Sequence, residues 1–317
     1  MAKQYSKRKE NSLLIVGSGA MACLFAARFS AASIPVTMLA SWGEGLESLN
    51  KFGVCVVGPN GKEQVYPVKA IQDPNAVRGI HSALVLVKSW QTARAAAQLF
   101  NCLSKDGVAL TLQNGIGNRE ILAQTLGAQR VALGVTTLGA TLLGPGRVRP
   151  AGDGVISLGV HSRLAPLANM LREAGLVVES APDPDVLLWG KLIINAAINP
   201  LSALLGVSNG ELLERPTARA LLVILAREAA AVAVANGINL PYPDPGGAVE
   251  TIARRTASNH SSMLQDVTRR APTEIDAICG AIVRAGEQVD VPTPVTRTMW
   301  QLVKALVRGD PSGAYAG

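Results

Sequence analysis

An α/β N-terminal domain followed by an all-α C-terminal domain is the fold class that the sequence predicts, on three observations. Short apolar, partly β-branched runs recur at residues 12–16 (SLLIV), 34–40 (IPVTMLA), 83–87 (ALVLV), 108–112 (VALTL) and 131–137 (VALGVTT). Most are separated by helical stretches or turn clusters, the pattern of a parallel sheet buried on both faces. After Val178 the strand signals stop and the chain reads as helices.

The first strand, 12–16, runs directly into Gly17-Ser18-Gly19-Ala20-Met21-Ala22, a GxGxxA sequence that opens a helix leading to the strand at 34–40. In such a unit the first glycine permits a tight turn and the second lets a pyrophosphate approach the backbone. The small Ala22 allows close helix–strand packing. The phosphates then sit on the N–H groups of the helix N-terminus. This context predicts a Rossmann-type domain that binds a dinucleotide through Gly17, Ser18, Gly19, Ala20 and Met21; a bare glycine-rich turn is the plainer alternative.

The second strand ends Leu39-Ala40-Ser41-Trp42, with neither the carboxylate that binds ribose hydroxyls nor the arginine that receives a 2′-phosphate. Ser41 is a candidate hydrogen-bond partner of a 2′-phosphate and Trp42 a candidate to stack on an adenine ring; an ordinary loop is the alternative. The expected cofactor is NADPH, with NADH left open.

Residues 54–68 differ from the α/β series: two strands flank the turn Pro59-Asn60-Gly61. A second hairpin is expected around Gly144-Pro145-Gly146, leading into VISLGV at 155–160. Helices are expected at 185–205, 216–236, 246–270, 273–288 and 295–308, punctuated by Gly206, Gly237, Pro241 to Gly247 and Pro292 to Pro294. The switch near Pro182-Asp183-Pro184 divides the chain into a dinucleotide-binding domain, 1–182, and a helical substrate-binding and dimerisation domain, 183–317.

Lys88 ends ALVLV, and Asn114 follows VALTL in QNGIG. Carboxyl ends of strands line the ligand crevice of a doubly wound sheet, so both are candidates to bind a carboxylate or a nicotinamide ribose. Polar residues also end strands simply because they reach solvent. Lys191, Asn195 and Asn199 recur at i, i+4, i+8, on one face of a helix that is otherwise almost wholly apolar. That stripe faces either bulk water or a polar cleft.

Reducing a ketone needs a proton donor at the oxygen, a task a lysine performs when its pKa is brought toward neutrality, so Lys191 is the candidate donor. The segment from Ser258 to Asp266, followed by Thr273-Glu274-Ile275-Asp276, reads either as helix caps or as a binding cluster. In the second reading Ser262 and Asn259 bind a carboxylate and a hydroxyl, and Glu274 holds Lys191 in its charged form. His81, His161 and His260 are expected to be structural or solvated.

Composition narrows the class. With 317 residues, 48% hydrophobic and 17% charged, the chain suffices for two domains with substantial cores. Four cysteines without a CxxC pair fit reduced thiols, and no metal site is readable. Behind the basic first eleven residues the apolar stretch Leu13 to Val16 is too short for a signal peptide. The greasy segment Leu221 to Ala235 contains Arg227 and Glu228 and falls short of the ~20 apolar residues of a membrane span. A cytoplasmic location and no membrane partner are therefore expected. The net charge of +7 comes from scattered Lys and Arg, and only four Phe are present for base stacking, which argues against nucleic acid. A positive field equally suits an anionic cofactor and a small anionic keto acid.

GSGAMA, VKSWQ, QNGIG, WGKLIINAAINPLSAL, SSMLQD and PTEIDAICG, in this order, resemble the ketopantoate reductases (2-dehydropantoate 2-reductases) from about Leu13 to about Val307. The resemblance implies NADPH-dependent reduction of 2-dehydropantoate to (R)-pantoate, on the route to coenzyme A. It also implies Lys191 as general acid, Glu274 as an acid near the substrate, and Asn195, Asn199, Asn259 and Ser262 as substrate-binding residues, Ser262 at the carboxylate. Lys88 and Asn114 match positions near cofactor and substrate, and a homodimer through the helical domain is left open. Two departures stand out: Ser41 replaces the family's arginine, and His260 replaces an apolar residue. The alternatives are a reductase of another small 2-keto or 3-keto acid, or a non-catalytic NAD(P) sensor, which has no need of a proton donor.

Overall fold

The computed structural model describes residues 13–307; the basic stretch 1–11, Ser12 and the last position of the helix expected to reach Arg308 lie outside the described residues. The chain forms two compact units. One runs to Gln113 and from Asn118 to Pro184, and the other holds Asn114–Gly117 and the residues from Asp185 onward.

In chain order the strands of the first unit are β1 (Leu13–Val16), β2 (Val36–Leu39), β3 (Val54–Val57), β4 (Glu63–Tyr66), β5 (Lys69–Ile71), β6 (Ile80–Val85), β7 (Leu103–Thr111), β8 (Val131–Thr136), β9 (Ala140–Gly144), β10 (Arg147–Pro150), β11 (Val155–Gly159) and β12 (Val177–Ala181). Its helices are α1 (Ala20–Ala31), α2 (Gly43–Phe52), α3 (Thr92–Cys102), α4 (Asn118–Leu126) and α5 (Ala165–Glu173). The main sheet has the order β12-β11-β8-β7-β6-β1-β2-β5. Its middle is parallel: β1 pairs with β2 (Val16↔Leu39) on one side and β6 (Val16↔Val85) on the other. Direction reverses where β11 runs antiparallel to β8.

Both expected hairpins form, and they then join. β3 pairs in parallel with β10 (Cys55↔Arg147), making a second sheet of order β4-β3-β10-β9. This explains why α1 is apolar round most of its circumference. Phe25 and Phe29 are fully buried in one core with Leu13 and Ile15 of the main sheet and Val54 and Val148 of the second. The other face of the main sheet is covered by Leu99 of α3 and Leu122 and Leu126 of α4. Helices on both faces leave the carboxyl ends of the strands as the open crevice.

The second unit is built from α6 (Pro184–Leu205), α7 (Glu211–Glu214), α8 (Pro216–Ala235), α9 (Pro245–Arg255), α10 (Ser262–Thr268), α11 (Cys279–Gln288) and α12 (Pro294–Leu306). α6 is long and apolar enough to cross a membrane by length and composition alone, but most of it is buried. Leu192, Ile193, Ala196 and Ala197 pack with Leu222, Leu225, Ala226 and Ala229 of α8. Pro200 cannot give an N–H to the carbonyl of Ala196. The buried Cys279 thiol donates to that oxygen instead, at 3.8 Å.

Two helical expectations are corrected. The single helix at 246–270 is two, because the chain turns at 256–261 and Ser261 caps α10, its Oγ accepting from Leu264 N at 3.0 Å. The helix at 273–288 begins only at Cys279, since 274–278 is a turn whose Ala277 oxygen accepts from Ile116 N at 3.3 Å. The short α7 was not expected from the sequence.

Glu228, which interrupts the greasy run 221–235, has a structural task. Its carboxylate accepts from Val295 N (3.0 Å), Thr296 N (2.7 Å) and Thr296 Oγ1 (2.7 Å), capping α12 from another helix. A negative charge is favourable at a helix N-terminus. Glu228→Ala is therefore expected to cost about 1.5–3 kcal/mol, the worth of hydrogen bonds to a charged group. Urea unfolding measures it, and an unchanged midpoint would dismiss the cap.

Candidate active site

Gly17 sits where β1 ends, its N–H donating to Leu39 O at 2.9 Å. Its φ of +129° and the 3.1 Å between a built Cβ and Leu86 O leave room only for glycine. Gly19 is the opposite case. A Cβ there would meet nothing within 4 Å, the residue is exposed, and it caps α1 without a side-chain hydrogen bond. Packing within the protein does not demand glycine at 19, and the first N–H groups of α1 open outward beside it. This cradle fits a pyrophosphate.

The ends of β6 and β7 are tied by buried polar contacts that sequence reasoning missed. Gln113 Nε2 donates to Val87 O (3.0 Å) and Thr92 Oγ1 (2.8 Å), while Thr111 Oγ1 donates to Gln113 Oε1 (2.9 Å). Thr92 Oγ1 also lies 2.8 Å from Ser89 O and from Asn118 Oδ1. The network brackets Lys88, which is half-buried and caps the short 3-10 turn Ser89–Gln91. Gln113 opens QNGIG and Thr92 follows VKSWQ, but nothing in their spacing signals that they meet. Ser41 is half-buried after β2, and the Trp42 ring leans on its own helix, 2.6 Å from the place of a Gly45 Cβ.

In the second unit, Lys191, Asn195 and Asn199 line one face of α6 as expected, the first two half-buried and the third buried. Ser202 Oγ lies 3.1 Å from Asn199 O and 2.6 Å from Ser261 Oγ, which joins α6 to the start of α10. Ser261 is the cap; Ser262, the first residue of α10, is exposed. Asn259 is exposed in the turn before it, its N–H donating to Thr256 O at 2.9 Å and its carbonyl accepting from Asn209 N at 3.0 Å.

Glu274 is buried, and its carbonyl accepts from Ala277 N (3.1 Å) and Ile278 N (3.0 Å). Gly115, next to Asn114, packs on that same turn: with φ +83°, a built Cβ would lie 2.4 Å from Ala277 O. Burial lowers the Lys191 pKa to about 8, against the charge of Glu274, which raises it. The second unit thus brings Lys191 within electrostatic range of Glu274, Asn199 beside the start of α10, and Asn114 onto the Glu274 turn. Gly17 to Met21, Ser41 and Lys88 belong to the first unit, at the carboxyl ends of the neighbouring strands β1, β2 and β6.

Two family models match the chain. A model described as "Ketopantoate reductase PanE/ApbA" matches residues 13–163, and one described as "Ketopantoate reductase PanE/ApbA C terminal" matches residues 185–307. The chain belongs to the ketopantoate reductase family. It is 34% identical to a 2-dehydropantoate 2-reductase of Halobacterium salinarum, over 93% of this chain and 99% of that one. The solved PanE/ApbA family ketopantoate reductase from Ralstonia eutropha JMP134 superposes with a TM-score of 0.86 at 32% identity, covering 93% of this chain and 98% of the other. A D-mandelate dehydrogenase solved with NADH and anilino(oxo)acetate gives a TM-score of 0.87 at 27% identity, with coverage of 93% and 98%.

As a ketopantoate reductase family member the chain is an oxidoreductase, and its three histidines lie away from the Lys191 stripe of α6 in sequence. His81 pairs with Asp106 at 3.3 Å on the surface. His161 Nδ1 accepts from Arg163 N at 3.2 Å, and burial with the Arg163 charge holds its pKa low. His260 is exposed, its carbonyl accepting from Gln265 Nε2 at 3.0 Å.

Proposed function

We propose that this chain is a cytoplasmic NADPH-dependent reductase that converts 2-dehydropantoate to (R)-pantoate, with Lys191 as general acid. Bound in the Gly17–Met21 cradle, NADPH would supply a hydride to the keto carbon. Lys191 gives its proton to the keto oxygen as negative charge develops there. The observation that carries the reading is the family match together with the placement of Lys191 on the polar face of α6, within electrostatic range of the buried Glu274, where burial lowers its pKa to about 8. Such a lysine is mostly protonated at neutral pH yet releases its proton far more readily than a solvated one. Glu274 keeps it charged. Asn195 and Asn199 hydrogen-bond the substrate's oxygens, Ser262 and Asn259 hold its carboxylate and hydroxyl, and Asn114 binds beside them. Gly17, Ser18, Gly19, Ala20 and Met21 hold the pyrophosphate, with Lys88 and Ser41 at the two ribose ends. The helical unit provides a homodimer contact, which sedimentation would test.

A second reading, the same chemistry on another 2-keto acid, is favoured by the likeness to D-mandelate dehydrogenase and by His260 beside the serines. Cofactor absorbance decay over a panel of keto acids, with NADPH and with NADH, tests both. Fastest turnover on 2-dehydropantoate with NADPH is expected; faster turnover on an aryl keto acid selects the second reading, and no turnover on any acid defeats both.

Ser262→Ala should raise KM for the keto acid by the equivalent of about 1.5–3 kcal/mol, the loss of one charge-assisted hydrogen bond. Cofactor affinity should not move. A changed cofactor Kd with an unchanged KM would assign Ser262 to the other ligand.

A further inference from the structure

A recess opens in the first unit at the carboxyl ends of β1 and β2, lined by Val16, Leu39 and Ser41 and, across from them, by Gln91, Arg94 and Gln98. Positions 91, 94 and 98 follow helical spacing, so α3 and the turn before it present amide, guanidinium and amide toward the end of β2. No Asp or Glu lines the recess among the described residues. In a dinucleotide-binding sheet the adenosine ribose lies beyond the end of the second strand. A carboxylate there accepts from a free 2′-hydroxyl, whereas an arginine accommodates a 2′-phosphate. The strand end itself supplies neither, only Ser41.

We propose that Arg94 is the residue that receives the 2′-phosphate of NADPH, its charge arriving from α3 across the recess, with the Ser41 hydroxyl donating to the same phosphate. This rests on the NADPH reading above. Arg94 is exposed and forms no ion pair among the described residues, so no carboxylate competes for its planar fork of donors. Lys51, nearer in sequence to β2, lies over the Phe52 ring at 5.0 Å.

The test is calorimetric binding of NADPH, NADH, adenosine 2′,5′-bisphosphate and 5′-AMP to wild type and Arg94→Gln at low salt. Arg94→Gln should weaken NADPH and adenosine 2′,5′-bisphosphate about ten- to a hundredfold, the worth of charge-assisted bonds. NADH and 5′-AMP should stay level. Adding Ser41→Arg to Arg94→Gln should restore the lost affinity, since both positions face one recess. If wild type prefers the 2′-phosphorylated ligands and Arg94→Gln leaves that preference intact, Arg94 is dismissed and the NADPH reading survives. Equal weakening of all four ligands also dismisses it. A wild type with no preference overturns the NADPH reading and this assignment together.

Discussion

Lys191→Ala is expected to lower kcat by ~10²–10⁴, the usual worth of general acid catalysis, with a much smaller change in NADPH affinity. In the proposed role the proton leaves Lys191 in the transition state, so an alanine would forfeit an interaction that the ground state barely uses. The pH profile carries an independent signature. A general acid works only while protonated, and the Lys191 pKa is lowered to about 8, so kcat/KM should fall as pH rises through about 8. The Glu274 charge opposes the effect of burial. Glu274→Gln removes it, so the alkaline limb should move to lower pH in that variant. Steady-state rates across pH for wild type, Lys191→Ala and Glu274→Gln decide the matter. Wild-type kcat in Lys191→Ala removes the lysine from the mechanism, and a limb unmoved by Glu274→Gln removes the acid from its environment.

What the sequence made legible is what local physics determines. The strand–GxGxxA–helix unit was readable because apolar periodicity and glycine chemistry act over a dozen residues. The polar stripe of α6 was readable because three side chains at i, i+4, i+8 share a face wherever the helix packs. Both hairpins were readable from their turns, but the parallel pairing of β3 with β10 was not, since it joins residues some ninety positions apart with no local signal. The break between α9 and α10 was missed because Ser261 ends the turn through a partner on α6, Ser202. The residues of 274–278 have helical propensity, yet there they turn under the segment 114–117. Tertiary contacts override propensity there. Arg94 was invisible for the same reason: only the folded sheet sets it across from Ser41.

Gly115→Ala should lower kcat/KM for the keto acid about a hundredfold, the scale set by misplacing a catalytic group by about 1 Å. Position 115 has φ +83°, and a Cβ there would lie 2.4 Å from Ala277 O and 2.9 Å from the Ala277 carbonyl carbon, all backbone or bound to it. No side-chain rotation relieves such an overlap, so the loop must lift off the turn and break the 3.3 Å bond from Ile116 N to Ala277 O. Asn114 rides on that loop and Glu274 begins that turn, so both would lose their placement. Strain alone does not explain the expected loss, and Gly117 isolates it: φ is +96°, yet a Cβ would meet nothing within 4 Å. Gly117→Ala should therefore cost about 1–3 kcal/mol of stability for the unfavourable backbone conformation while retaining most activity. Kinetics and urea midpoints of the two variants, measured side by side, separate collision from strain. Equal losses of activity would mean that the contact with Ala277 does not set the position of Asn114.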